Sequence, residues 1–332
     1  MKLTRFLPVI SVCLCFAACG DDAEDPIDPG SETPAEPTDP GGDGPATPGV
    51  TSTLDANVTE DTTLSGAVRV VGLRSVSAAL VIEAGAVIEF DENAGLLMEA
   101  GGGSLACNGT EDEPVTLRGV SATPGFWEAL VFDSNDSANV MTYCNVSHGG
   151  SGSSFGFSGN QTASIIVNGG ARLDVSNSRV ASSEGDGILF FDGAAIEFAS
   201  NAFADNGESP VRISANDAGA LDNATDYGTS NGDNFIEVTG RRATEGQVWS
   251  VTTVPYKTLE LLELDLDGSD ALAVSPGGTL LMAENAGIAV NTGSRRRSRF
   301  EADHLCPNDL SCLLSRSVSD AGRVDSISRV RG

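Results

Sequence analysis

Lysine is nearly missing from this chain. Lys2 and Lys257 are the only two among 332 residues, which carry 47 Asp plus Glu and a formal charge of −28. A surface so acidic repels nucleic acid and anionic lipid, which removes both as ligands. Histidine is equally scarce, at two residues. Metal sites built on His or Cys clusters are therefore excluded, and no cofactor and no metal is expected. Aromatic residues make up 5%, with two Trp and three Tyr. A face that stacks sugars on exposed rings has little to draw on. The one apolar run, Phe6 to Ala18, is too short to span a membrane.

Short apolar residues and glycine are plentiful instead, with 39 Gly in the chain. The stretch Leu173 to Ile213 shows how they are used. Shifted by about 23 residues it superposes on itself. Leu173, Val175, Val180, Ile188 and Phe190 fall on Ile196, Phe198, Phe203, Val211 and Ile213, and Ser178 falls on Asn201. Within each unit the apolar residues alternate in short pairs divided by Gly, Ser, Asn and Asp. That pattern makes short strands and tight turns and leaves no room for a helix. A coil of this length with three short strands is one rung of a parallel β-helix, each rung stacking on the last at roughly 4.8 Å. The fold expected is all-β: a single-stranded right-handed parallel β-helix, a solenoid, after a disordered linker. Asn201 and Asn206 are expected to bond backbone groups at its turns.

A longer repeat lies over the short one. LVIEAGAVIEFDENAGLLMEAG, from Leu80, matches LAVSPGGTLLMAENAGIAVNTG, from Leu272. Gly85 and Gly277 occupy the same place in the two copies, where a sharp turn needs a positive φ. The chain begins the same unit twice.

Four segments follow. Residues 1–18 resemble a bacterial lipoprotein signal peptide: Lys2 and Arg5, an apolar run, then Phe16-Ala17-Ala18-Cys19 in the place of a lipobox. The resemblance implies a lipid on Cys19, and Gly20 after it implies sorting to the outer membrane. Residues 19–50 hold seven Pro and nine acids and no basic residue. They cannot bury a core and form an extended linker. Residues 51–293 are the β-helix domain. Residues 294–332 are an atypical basic tail with eight of the nineteen Lys plus Arg. There the long repeat breaks off. An interrupted module explains this better than a C-terminal cap, although Cys306 and Cys312 would staple a cap.

Within the domain, LVIEAGAVIEF, GSLACNGTEDEPVTLRG, PGFWEALVF and VMTYCNVSHGG follow in order. In that order they resemble a family of bacterial right-handed parallel β-helix surface lipoproteins. The resemblance implies the fold and an envelope location, and little chemistry. Trp127 is expected to plug the interior or cover one end. Cys107 and Cys144 share inward parity; their spacing of 37 is not a whole number of 23-residue turns, so they read as two buried thiols rather than a disulfide.

Several constellations touch on chemistry. Gly152-Ser153-Ser154-Phe155-Gly156 matches a nucleophile motif but lies in a Gly/Ser loop. Ser147-His148-Gly149 lacks the clustered Asp residues that glycan hydrolysis needs. Asp265-Leu266-Asp267-Gly268-Ser269-Asp270 begins like a Ca²⁺ loop without its closing Glu, and reads as an acidic turn. The period itself supplies the most physical candidate. Asp174 and Glu197 fall side by side on the outer face, with Arg172 on the same face. Their like charges raise one pKa unless a cation sits between them. Such a group would contact a cation or a glycan.

The function expected is that of a lipid-anchored cell-surface protein without catalytic residues, in adhesion, envelope structure or interaction. Its partners would be the membrane, through the anchor, and an extracellular polysaccharide or another surface protein. The alternative is a glycan-binding or polysaccharide-cleaving, lyase-like β-helix.

Overall fold

The computed structural model describes residues 49–152, 161–266 and 272–290. Among these, strands pair only in parallel and stack in register. Three long sheets of seven, nine and six strands run along the coil. The chain visits the three in turn and returns one strand further on, which is a parallel β-helix.

The register is the one the short period implies. Leu173 pairs with Ile196, Val175 with Phe198, Val180 with Phe203, Ile188 with Val211 and Phe190 with Ile213. Nine of these ten side chains are buried, and Ile196 is half-exposed. Each fully buried Leu, Ile or Phe contributes about 1.5–3 kcal/mol through the water it sheds. Trp127 lies inside rather than over an end. It stacks on Phe90 with ring centroids 4.1 Å apart, and its indole N–H donates to the Ser147 carbonyl.

At the corners between sheets the backbone leaves the ladder, and buried N–H groups need other acceptors. Asn201 accepts from Ser178 N at 3.0 Å through Oδ1 and donates to Val175 O through Nδ2. Asn206 accepts from Ser183 N and donates to Asn231 Oδ1 at 2.9 Å. A carboxamide suits this place because it carries both a donor and an acceptor. One polar residue per rung thus continues the backbone network around the bend.

The long repeat is structural too. The strands Ala79–Ile82, Val87–Phe90 and Gly95–Met98 recur as Leu272–Val274, Leu280–Met282 and Gly287–Val290. Gly85 and Gly277 have φ of 74° and 90°, and Asn93 and Asn285 have 56° and 66°. In the first copy the next coil pairs with these strands. In the second, each of the three strands ends its sheet among the described residues.

Cys107 and Cys144 form a disulfide, with Cα atoms 6.5 Å apart. This corrects the expectation of two separate thiols. The coil is longer here than 23 residues: Leu105 N bonds to Asn139 and Cys144 N bonds to Ser178, each across 34 residues. Met141 is the register partner of Cys107, so Cys144 lies just past it, around the corner on the next coil. A spacing of 37 is one long coil plus three residues.

Candidate functional site

Arg172, Asp174 and Glu197 come together on the outer face of the six-stranded sheet, as the period implies. The strand Arg172–Ser176 pairs with Ala195–Ala199, and Asp174 is the register partner of Glu197. The two carboxylates are not left to repel. Nη2 of Arg172 donates to Asp174 Oδ2 at 2.8 Å and to Glu197 Oε1 at 2.9 Å. The cation between them is the chain's own guanidinium. Those two bonds, Asp174 first, hold the Arg172 pKa above its usual range. Glu197 is 73% exposed and Arg172 partly so, which makes the clamp a modest contributor to stability.

A second, more buried group lies on the nine-stranded sheet, and the sequence reading missed it. Its centre is Arg212. Leu189, Arg212 and Glu237 are neighbours in one outward row of register pairs. Arg212 Nε lies 2.9 Å from Asp186 Oδ2 and 3.1 Å from Glu237 Oε1. Its Nη2 donates to Glu208 Oε2 at 2.9 Å and its Nη1 to Gln161 Oε1 at 3.3 Å. The Nε–H and Asp186 Oδ2 are close but not aligned for a hydrogen bond. Asp186 is fully buried and accepts one bond, from Ser209 N, through Oδ1. Burial pushes its carboxyl up to about 8. Arg212 opposes that rise, and Glu237 and Glu208 add to it. Burial also raises Glu237, again against the pull of Arg212. With a pKa of about 8, Asp186 holds its proton at neutral pH. The group borders an apolar patch on the outer side of the same sheet, formed by Ala129, Val131, Ala163, Ile166 and Leu189.

One signal for this group was present. The period that aligns Ile188 with Val211 also puts Arg212 beside Leu189 on the outer face, and an arginine in a mainly apolar row calls for acids. Those acids sit in other places of the repeat: Asp186 at the start of its strand, Glu208 in the preceding turn, Glu237 one coil on. A fixed offset does not connect them.

Ser147 ends the strand Cys144–Ser147, and His148 follows it. His148 has φ 66°, and its Nδ1 lies 3.3 Å from Ser147 Oγ. Burial, and then the nearby Arg118, lower its pKa, which leaves the ring neutral at pH 7. The pair has no carboxylate behind it among the hydrogen bonds of the described residues. Cys19, Cys306 and Cys312 lie outside the described residues, as do Ser153 to Gly156 of the nucleophile-like motif and Asp267 to Asp270 of the acidic turn. No group of three or more His, Cys, Asp and Glu among the described residues is arranged to hold a metal ion. Comparison with protein-family models, characterised proteins and solved structures finds no match.

Chemically, both groups join neighbouring coils. General acid–base work needs a carboxyl within reach of a substrate proton. Asp186 has a suitable pKa but no access to solvent. Asp174 and Glu197 have access but are tied to Arg172.

Proposed function

We propose that this protein is a lipid-anchored cell-surface β-helix that works by contact and not by catalysis. The observation that carries this reading is the state of its outward acids. Arg172 binds Asp174 and Glu197, Arg212 draws in Asp186, Glu208 and Glu237, and Arg118 binds Glu89 at 2.8 Å. A lyase-like site needs such carboxylates free for a cation and an unpaired base beside them. Here the arginines stitch neighbouring coils. The anchor is supported by the sequence alone: an apolar run, Ala17-Ala18-Cys19, then an acidic Pro-rich linker of some thirty residues that would hold the domain off an outer membrane, facing the exterior. Its partners would be another surface protein or an extracellular polysaccharide. Mass spectrometry of the membrane fraction tests the anchor. The expected N-terminal peptide begins at an acylated Cys19, and a mature N-terminus elsewhere overturns it.

A glycan-cleaving role has one observation in its favour, the raised pKa of Asp186 beside Arg212. On that reading Asp186→Asn abolishes cleavage of an extracellular polysaccharide while the protein stays folded.

A further inference from the structure

The two copies of the long repeat differ in what lies on them. In the first, a further coil pairs with the strands Ala79–Ile82, Val87–Phe90 and Gly95–Met98. Phe90 O accepts from Val120 N, Leu96 N donates to Ala129 O and Met98 O accepts from Asp133 N. In the second copy the matching groups belong to Met282, Ile288 and Val290, and they have no partner among the described residues. Tyr256 N bonds to Thr279 O and Ala283 N bonds to Thr258 O, so Leu280 and Met282 turn their backbone groups the other way, off the end of the stack. The side chains differ in the same sense. Ile88, Phe90 and Met98 are fully buried, whereas their counterparts Leu280 and Val290 are partly exposed and Met282 is 43% exposed.

This end is apolar and nearly uncharged. Five of the seven large apolar side chains exposed among the described residues, Val248, Leu259, Leu261, Leu281 and Met282, lie in the last two coils. Glu284 is the one charged residue between 272 and 290, in a chain of −28. Elsewhere the like charge of two such acidic copies opposes contact, and depletion of charge marks the centre of a protein interface. Residues 272–290 alone approach the number a stable interface uses on each side, about 20–30. The chain's own continuation does not supply the missing coil. At the offset of the long repeat, Gly103 becomes Arg295, and the buried Leu105 and Cys107 become Arg297 and Arg299. A Cβ on Gly103 would clash with the Val76 carbonyl, and arginines do not take buried apolar places without partners. The first coil of another copy is no match either. Its strands Ser52–Leu54 and Thr62–Leu64 are mainly polar, and Val58 and Leu64 are buried already.

We propose that this end is a self-association surface, on which a second copy of the chain seats its own last coil. The same surface then serves both copies, as a two-fold axis requires, and the contact closes as a dimer instead of running on as a fibre. The two-fold reverses strand direction. Edge strands of the two copies therefore pair antiparallel, and the free backbone groups of Leu280, Met282 and Ile288 find partners. Leu280, Met282 and Val290 of each copy complete one shared core. The linker joins the first coil, so the contact leaves the anchor free. The inference rests on the reading that this protein works by contact, and it needs neither the lipid nor the absence of catalysis.

The test uses the full mature chain, produced without lipid, over a wide range of concentration. Sedimentation equilibrium reads association. Hydrogen exchange reads the backbone amides of residues 272–290 at low and high concentration. A monomer–dimer equilibrium should be evident by about 100 µM, and those amides should gain protection only as the dimer forms. Met282→Lys puts a charge on the apolar end and should weaken the dimer about tenfold or more. Val120→Lys, at a side chain 43% exposed on an earlier coil, should leave it unchanged. If Met282→Lys fails to fold, the concentration dependence of exchange in the native chain carries the test. Four results overturn the proposal. The first is a monomer at every concentration up to about 100 µM. The second is a dimer indifferent to Met282→Lys. The third is protection of residues 272–290 that is independent of concentration, which makes the chain's own residues the cover. The fourth is an open series of larger oligomers, which means that last coils stack on first coils. None of these alters the readings of anchoring or catalysis, which the Cys19 mass and polysaccharide assays decide separately.

Discussion

The buried Asp186 makes stability depend on pH in a direction that can be worked out. Its folded pKa is about 8, against an ordinary value of 3.8. Below about pH 4 both folded and unfolded chains hold the proton, and the group is without penalty. Above that the unfolded chain releases the proton and the folded chain keeps it. The folded state loses ground until the pH passes about 8, where both are ionised and the dependence levels off. One proton is worth about 1.4 kcal/mol per pH unit across this window, and the whole shift is of order 5 kcal/mol. For a chain of this size that slope corresponds to roughly 3–5 °C of Tm per pH unit. Glu237 and Asp217, also raised by burial, act in the same direction from nearer their own ordinary values. The Asp186→Asn variant isolates the effect. Asn keeps an acceptor for Ser209 N and cannot ionise. Thermal melts of both proteins from pH 5 to pH 9 should therefore diverge. The variant should gain on the native protein as pH rises, by roughly 10 °C or more across the range, and the gain should flatten above pH 8. Parallel curves, or a native protein that gains on the variant as pH rises, would refute the placement of Asp186 as a buried, proton-holding carboxyl.

Leu173→Ala should destabilise by about 2–5 kcal/mol, read from denaturant midpoints, because Leu173 is fully buried in the core. A loss well under about 1 kcal/mol would put its inward assignment in error. Arg172→Met should lower the Tm by leaving Asp174 and Glu197 stacked without their cation, and adding Glu197→Gln should restore part of the loss. If the second change does nothing, the clamp is not electrostatic. The Cys107–Cys144 bridge should resist alkylation until reductant is added. Replacing both cysteines with serine should cost about 2–4 kcal/mol. Free thiols in the oxidised protein would contradict the pairing.

Most of the fold was legible where the coil length holds at about 23 residues. The pairing of Leu173 with Ile196 and Phe190 with Ile213, and the stacking of Asp174 on Glu197, follow from one shift. Inward and outward positions alternate, and a register slip would bury the charged residues. Legibility fails where the coil changes length. The 34-residue coils around Val140 conceal the meeting of Cys107 and Cys144, because a single period measures neither. The Arg212 group was concealed for another reason. Asp186, Glu208 and Glu237 reach it from a strand start, a turn and the next coil, and side-chain reach has no period. The end of the six-stranded sheet at Ala195–Ala199 was equally silent: Asp217-Ala218-Gly219-Ala220 carries no mark that a 3-10 turn, Ala218–Ala220, rather than a strand fills the next coil.

The claim that this β-helix acts by contact is tested most directly by incubating the mature protein with a panel of neutral and acidic extracellular polysaccharides and measuring released reducing ends and unsaturated sugars. The account predicts no release above that of the heat-denatured protein, with or without Ca²⁺. Release that disappears in Asp186→Asn, or Ca²⁺-dependent release that disappears in Asp174→Ala, would contradict it and make the arginine-bound carboxylates a catalytic set.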